Sequence, residues 1–250
     1  MHLSRWMDEL SNPLLRSLDG RVRRWRVNSR ILVSENNRFV FFRVPKAGHS
    51  TVCRTLVYYD RSLDEGVRQT FLARLDRSVP YPHPREIGYI SARRALRTHY
   101  LFTFVRNPYR RVLSAYLDKV ARGKKAAKNL KYGCTGNGQL KFHEFLDQLK
   151  GPTLFNGPHW CPQVALLPQN RGKLDFIGRL ERIDTDLEHL VQKIFNRPLS
   201  EGVQSWDIHR TRSEEDFAHY YDTTAIETVY NLYREDFLAF GYRRDPDFSQ

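Results

Sequence analysis

No stretch of this 250-residue chain approaches the roughly 18 to 20 uninterrupted apolar residues that a membrane span needs. The opening residues, MHLSRWMDELSNPLLRSLDG, break any secretory-leader core with charges and a proline, so export is not expected. Cysteine is scarce as well. Cys53, Cys134 and Cys161 cannot all pair within one molecule, and they lack the Cys-x-x-Cys spacing of zinc and redox sites; free thiols in a reducing compartment are expected. Internal repeats and low-complexity tracts are absent, which excludes a solenoid. Acidic residues are outnumbered: 41 Lys plus Arg face 28 Asp plus Glu, a formal net charge of +13. Such a balance attracts polyanions, whether nucleic acid, an anionic surface, a sulfated or phosphorylated substrate or a nucleotide. Charge alone does not choose among them.

The chain is long enough for one sizeable core, and 40% hydrophobic content is ordinary for a globular protein. Three short apolar runs, Phe39 to Val44, Tyr100 to Val105 and Leu174 to Gly178, read as strands buried on both faces. Helical periodicity follows the second run: Tyr109, Val112, Leu113, Tyr116, Leu117 and Val120 form one face, with Asn107 as N-cap and Pro108 in the first turn. Further helices are expected over about Ser50 to Tyr59, Asp184 to Phe195 (with Thr185 and Glu188 near its start) and Thr224 to Phe240, where Gly241 can end the last. Strands alternating with helices predict an α/β fold with a mainly parallel sheet. Arg122 to Gly138 reads as an exposed basic and then glycine-rich loop, able to clamp an acidic partner. Gly151 to Gln169 is expected to be ordered but irregular.

The stretch FFRVPKAGHST, residues 41 to 51, sends a strand into a turn and then into a helix N-terminus. Backbone N–H groups there, aided by the helix dipole, suit an anion; Gly48 permits close approach, Ser50 and Thr51 add hydroxyls and Lys46 adds a charge. The Gly-x-x-x-x-Gly-Lys-[Ser/Thr] loop of nucleoside triphosphatases is missing, since Lys46 precedes its glycine. A nucleotide whose reacting group needs no metal clamp fits better. FTFVRNPYRRVLSAY, residues 102 to 116, repeats the strand, turn and helix, with Arg106 at the strand end and Arg110 and Ser114 on the helix face opposite the apolar stripe. Two anion-binding turns at neighbouring strand ends imply a ligand with two separated anionic groups.

These two stretches closely resemble the sulfotransferases that use 3′-phosphoadenosine 5′-phosphosulfate (PAPS), of the carbohydrate type called sulfotransferase family 2. The resemblance also takes in HWCPQ (159–163), DFIGRLE (175–181) and YREDFLAFGY (233–242). It implies a P-loop-like three-layer fold, a single domain over 1–250 with its core at about 39–242 and an N-terminal extension at 1–38. The loop Lys46, Ala47, Gly48, His49, Ser50 and Thr51 would hold the 5′-phosphosulfate, and Arg106 with Ser114 the 3′-phosphate. In the family a late basic loop also reaches that phosphate, for which Arg210 and Arg212 are the candidates. His49 departs from the small residue more usual there, so it offers only its backbone N–H or approaches the sulfuryl group.

The resemblance further implies in-line displacement at sulfur with no metal, leaving adenosine 3′,5′-bisphosphate, and with Lys46 offsetting charge on the leaving phosphate. The base that takes the acceptor proton is a histidine near neutrality, His83 or His159, with His99 a strand-edge residue. Trp160 could stack on a sugar or base ring, Trp206 could flank the adenine or fill the core, and Glu181 and Asp175 orient loops. A saccharide or acidic polysaccharide is the implied acceptor. Many relatives carry an N-terminal Golgi anchor, so a bacterial cytoplasmic location is expected unless such an anchor was removed. Two other readings stay open: a P-loop-type kinase, which would need Mg²⁺ and ATP, and a nucleic-acid binder, which would interleave aromatics in its basic stripe.

Overall fold

The structure, a computed structural model, describes residues 12–74, 79–121, 140–200, 203 and 217–246. Four strands form one sheet in the order β1 (Ile31–Ser34), β2 (Phe39–Phe42), β3 (Tyr100–Val105) and β4 (Phe176–Arg179). β1 is antiparallel to β2, with Ile31 opposite Phe42. β2, β3 and β4 are parallel, with Phe41 opposite Phe102 and Phe104 opposite Gly178. The longer helices among the described residues are α1 (His49–Tyr59), α2 (Glu65–Arg74), α3 (Tyr89–Thr98), α4 (Pro108–Lys119), α5 (Phe142–Leu149), α6 (Ile183–Phe195), α7 (Thr223–Leu232) and α8 (Arg234–Phe240).

Side chains alternate along a strand, and here each face meets its own helices. Phe39 and Phe41 join Leu32, Phe102 and Phe104 beneath Val52 and Leu56 of α1 and Leu187 and Leu190 of α6. Val40 and Phe42 join Ile31, Val33, Leu101 and Val105 on the other face, against Ala92 and Ala95 of α3 and the stretch Val164 to Leu167. Burial on both faces is why these strands read as continuous apolar runs. The expected α/β architecture, a mainly parallel sheet flanked by helices, is therefore present. β3 and β4 approach closely: a Cβ on Gly178 would fall 2.5 Å from Cε1 of Phe104, so only glycine fits. Beside the sheet, α4, α5 and α7 enclose a third cluster around Tyr109, Tyr116, Phe145, Trp160 and Phe237.

Several elements differ from expectation. β1 was not anticipated; its four residues are too few to show a period, and they lie within the stretch read as an N-terminal extension. β4 starts and ends later than the expected run. The last helix is two, α7 and α8, because Tyr233 leaves helical backbone at φ −115° and ψ 19° and its buried hydroxyl donates to the Trp160 carbonyl. α6 starts at Ile183 with no side-chain cap, so Thr185 and Glu188 lie inside it. Asn107 does cap α4, its Oδ1 accepting from Tyr109 N at 3.0 Å, and Gly241 closes α8 with φ +65°. Arg110 and Ser114, expected on the face opposite the apolar stripe, are both buried, as is the whole of α4 from Pro108 to Tyr116. The stretch Gly151 to Gln169 contains two short 3₁₀ turns and contributes core residues. Trp160 is completely buried, with its indole N–H directed at the Thr153 carbonyl at 3.3 Å, so it is not placed to stack on a ligand ring. Cys53 and Cys161 are free thiols, both buried. The loop Arg122 to Gly138, Cys134, Trp206, Arg210 and Arg212 lie outside the described residues.

Candidate active site

From the end of β2 the chain turns through Pro45, Lys46 and Ala47 into α1. Two residues of this turn adopt left-handed backbone, Lys46 at φ +70° and Gly48 at φ +73°. Gly48 has a second reason to be glycine, because a Cβ there would lie 2.8 Å from Cδ1 of Leu180. It is the N-cap of α1 and offers no side chain to the first turn. The first N–H groups of a helix lack intrahelical acceptors, so the start of α1 at His49, Ser50 and Thr51 presents donors at the positive end of its dipole. Buried Ala47 anchors the turn beneath them.

The second junction follows β3 and meets the first. Arg106 donates from Nη1 to the Lys46 carbonyl at 3.4 Å. Its backbone is clamped by Gln163, which accepts the Arg106 N–H on Oε1 at 2.9 Å and donates from Nε2 to the Arg106 carbonyl at 2.8 Å. Gln163 is held in turn by α8, for Asp236 accepts from the N–H groups of Gln163 at 2.8 Å and Val164 at 3.0 Å. Burial nevertheless pushes the Asp236 carboxyl up to about 6. Glu181 bridges two more pieces, accepting from Asn107 N at 2.6 Å and from the Tyr242 hydroxyl at 3.1 Å, while Asp175 accepts from Leu101 N at 2.7 Å. Glu181 holds loops, as expected of it, whereas Asp175, just before β4, binds strand β3. Ser114 and Arg110 are buried one turn apart on α4, the Arg110 guanidinium carbon standing 5.7 Å from the Phe217 ring centre.

Charge concentrates at the first turn. Lys46 Nζ and Lys119 Nζ both approach Oδ2 of Asp118, each at 3.0 Å. Burial lowers the Lys46 pKa, and the Asp118 carboxylate works against that shift. Behind Lys46, fully buried Arg111 ties three loops together: Nε donates to the Pro45 carbonyl at 3.0 Å, Nη1 to Cys161 at 2.7 Å and Nη2 to Pro158 at 3.3 Å. The turn at Lys46 and the HWCPQ stretch thus form one wall.

That wall carries two of the histidines. Burial lowers His159 to about 3, helped by the charges of Arg30, Lys119, Lys46 and Arg111 in that order. His49 is driven well below the ordinary histidine value by burial and then by Arg43, Arg30, His159 and Lys46. Nδ1 of each ring is buried without a hydrogen-bond partner. His83 stands at the outer edge of β1, where Pro82 accepts the Val33 N–H at 3.0 Å, with its Nδ1 3.0 Å from the Ile31 carbonyl oxygen. Among the described residues no hydrogen bond or ion pair connects its ring to Lys46 or His49. His99 precedes β3 at the opposite end of the sheet, 3.5 Å from Glu35, and is the strand-edge residue expected.

Arg30, Arg111, Asp118, Gln163 and Asp236 were not singled out from sequence. One signal was available: Arg110, Ser114 and Asp118 recur at four-residue spacing on α4, one helix face. Nothing in the pattern marks an arginine such as Arg111 as a core residue. Among the described residues no group of three or more His, Cys, Asp or Glu is placed to hold a metal ion, and no helix is long and apolar enough to cross a membrane.

Comparison with known proteins gives the family. A family model described as Sulfotransferase family matches residues 29–243. Carbohydrate sulfotransferase 14 of Danio rerio is 26% identical over 96% of this chain and 72% of its own length. The Homo sapiens protein of that name is 28% identical over 85% of this chain, which spans only 60% of it. Carbohydrate sulfotransferase 10 of Rattus norvegicus is 22% identical over 89% of this chain and 69% of its own. No solved structure matches. These relatives give no support to the kinase reading, and, being animal proteins, none to a bacterial cytoplasm.

Proposed function

This chain belongs to the sulfotransferase family, and from that premise we propose that it moves the sulfuryl group of PAPS to a hydroxyl of a saccharide or polysaccharide. The observation that carries the reading is the Arg106 contact to the Lys46 carbonyl, which puts two cationic strand-to-helix junctions on one wall. A donor with phosphates at both ends of an adenosine fits such a pair. The residues also suit its charge, since the first turn of α1 offers uncapped N–H groups and Lys46 and Lys119 place two cations against the single carboxylate of Asp118. The whole chain is read as one such domain.

When bound, PAPS supplies an activated sulfuryl group, leaving adenosine 3′,5′-bisphosphate. The turn from Lys46 to Thr51 holds the phosphosulfate end, with Ala47 and Gly48 shaping the backbone and Ser50 and Thr51 adding hydroxyls. Arg106 and Ser114 take the 3′-phosphate, joined by Arg210 and Arg212 from the late basic loop. Lys46 offsets the charge that grows on the leaving phosphate oxygen. His159 takes the proton of the acceptor hydroxyl. Burial keeps its ring neutral and so able to take up a proton, but at a pKa of about 3 it is a weak base, and its Nδ1 is buried without a hydrogen-bond partner. His83 is the second candidate, favoured by its place on the rim beside β1. No metal enters this scheme.

Calorimetric titration with adenosine 3′,5′-bisphosphate in the presence of a chelator tests the donor site. Binding under those conditions, with none for ATP and Mg²⁺, is expected; the reverse pattern would discard the proposal. Transfer from labelled PAPS to a panel of saccharides then identifies the acceptor.

A further inference from the structure

Arg106 lies one residue past the last pairing of β3 with β4, Val105 opposite Arg179, so its N–H and carbonyl fall outside the ladder. Gln163 takes the place of a neighbouring strand. Its Oε1 accepts the Arg106 N–H at 2.9 Å and its Nε2 donates to the Arg106 carbonyl at 2.8 Å, a two-point match that a carboxamide makes and a carboxylate does not. The Cα of Arg106 stands between these two bonds, so holding both fixes the direction in which its side chain leaves the sheet. Asn107, the next residue, is held as well, its N–H donating to Glu181 at 2.6 Å.

Gln163 is itself held from a distance. It opens the 3₁₀ turn Gln163–Leu166, whose N-cap, Pro162, forms no side-chain hydrogen bond. Asp236 of α8 supplies the missing acceptor, with Oδ2 2.8 Å from Gln163 N and Oδ1 3.0 Å from Val164 N. Both side chains are completely buried, so neither reaches a ligand itself. Val164, Ala165 and Leu166 beside them are apolar core, and an apolar residue at 163 would fill the same space without desolvating an amide. Burying a carboxylate is more unfavourable still. What the polar pair provides is a line of contacts from α8 through Gln163 to Arg106, whose Nη1 then meets the Lys46 carbonyl at 3.4 Å.

We propose that Gln163 and Asp236 are positioning residues of the donor site: they aim Arg106 at the 3′-phosphate, and so set how strongly the enzyme prefers a nucleotide that carries one. Asp236 acts through Gln163, and Gln163 through Arg106. This rests on the sulfotransferase reading above and adds to it the source of selectivity for the donor.

The test uses the full chain and two nucleotides that differ by one group, adenosine 3′,5′-bisphosphate and adenosine 5′-phosphate. Calorimetry on wild type is expected to show tighter binding of the bisphosphate. Gln163→Met keeps the length of the side chain but neither hydrogen bond; it is expected to weaken the bisphosphate roughly tenfold or more while the monophosphate changes less than about twofold. Should Gln163→Met not fold, Asp236→Asn, which keeps the volume and loses one of two acceptors, is expected to show the same selective loss in smaller degree. In the Arg106→Ala background Gln163→Met should remove no further preference, since the two act in series. Equal weakening of both nucleotides, or a further loss of preference in the absence of the Arg106 side chain, would overturn the proposal. A wild type that binds neither nucleotide, or binds the two alike, would instead remove the sulfotransferase reading.

Discussion

Lys46 and Lys119 share a single carboxylate oxygen, Oδ2 of Asp118, each from 3.0 Å. Asp118 therefore helps to keep Lys46 protonated against the burial that lowers its pKa. Replacing Asp118 with Asn removes the one influence that raises that pKa most, so the Lys46 pKa falls further. The alkaline limb of kcat is expected to move to lower pH in Asp118→Asn. A limb that stays in place, or moves upward, would show that Asp118 does not partner Lys46 during turnover.

Lys46 and Arg106 touch through a main-chain atom yet have separate tasks. Lys46→Ala is expected to lower kcat by about 10²–10³-fold while nucleotide affinity changes little. Arg106→Ala should weaken adenosine 3′,5′-bisphosphate binding roughly ten- to a hundredfold, a lost charge-assisted contact. Steady-state kinetics beside calorimetry separates the two. If both variants lose both quantities equally, the division of roles is wrong.

For the base, His159→Ala is expected to lower kcat by about 10²–10⁴-fold with the nucleotide site intact. Because the native pKa sits near 3, below the ordinary 6.5, the rate should show no acid limb from this group near neutrality. The same depression has a stability sign. The unfolded chain takes up a proton that the native ring refuses, so the protein loses stability as pH falls from about 6.5 toward 3. In His159→Ala that part of the acid sensitivity should vanish from thermal melts. A fully active His159→Ala together with an inactive His83→Ala would transfer the role to the edge histidine.

Arg111→Met strips the partner from the carbonyls of Pro45, Pro158 and Cys161 at once. A loss of about 3 kcal/mol or more in denaturant unfolding is expected, since buried acceptors are left unsatisfied. Nucleotide affinity should fall with it, as the turn loses its backing. Unchanged stability would mean that the three loops stay joined without the guanidinium.

What sequence showed and what it hid divide along physical lines. β2, β3 and the helices after them were legible because doubly buried strands and an amphipathic stripe leave strong local patterns, and the two turns proposed to hold anions stand at those junctions. β1 is too short for a period and takes its place only by pairing with β2. Arg111 and Gln163 were missed because polar residues are interior only when distant carbonyls and carboxylates converge on them, and that convergence is tertiary. Trp160 misled for the reverse reason: an aromatic in a polar motif can be core, as its complete burial shows. At the break, Tyr233 donates its hydroxyl to the carbonyl of Trp160, a contact far away in sequence.

The φ of +70° at Lys46 has an effect on how this enzyme can be altered. The position that supplies the cation also holds an uncomfortable backbone shape, one that glycine would occupy with less effort. Lys46→Gly therefore relaxes the turn as it silences the chemistry, and a mute variant more heat-resistant than its parent would be the signature of a site in which tension and reactivity reside in the same residue.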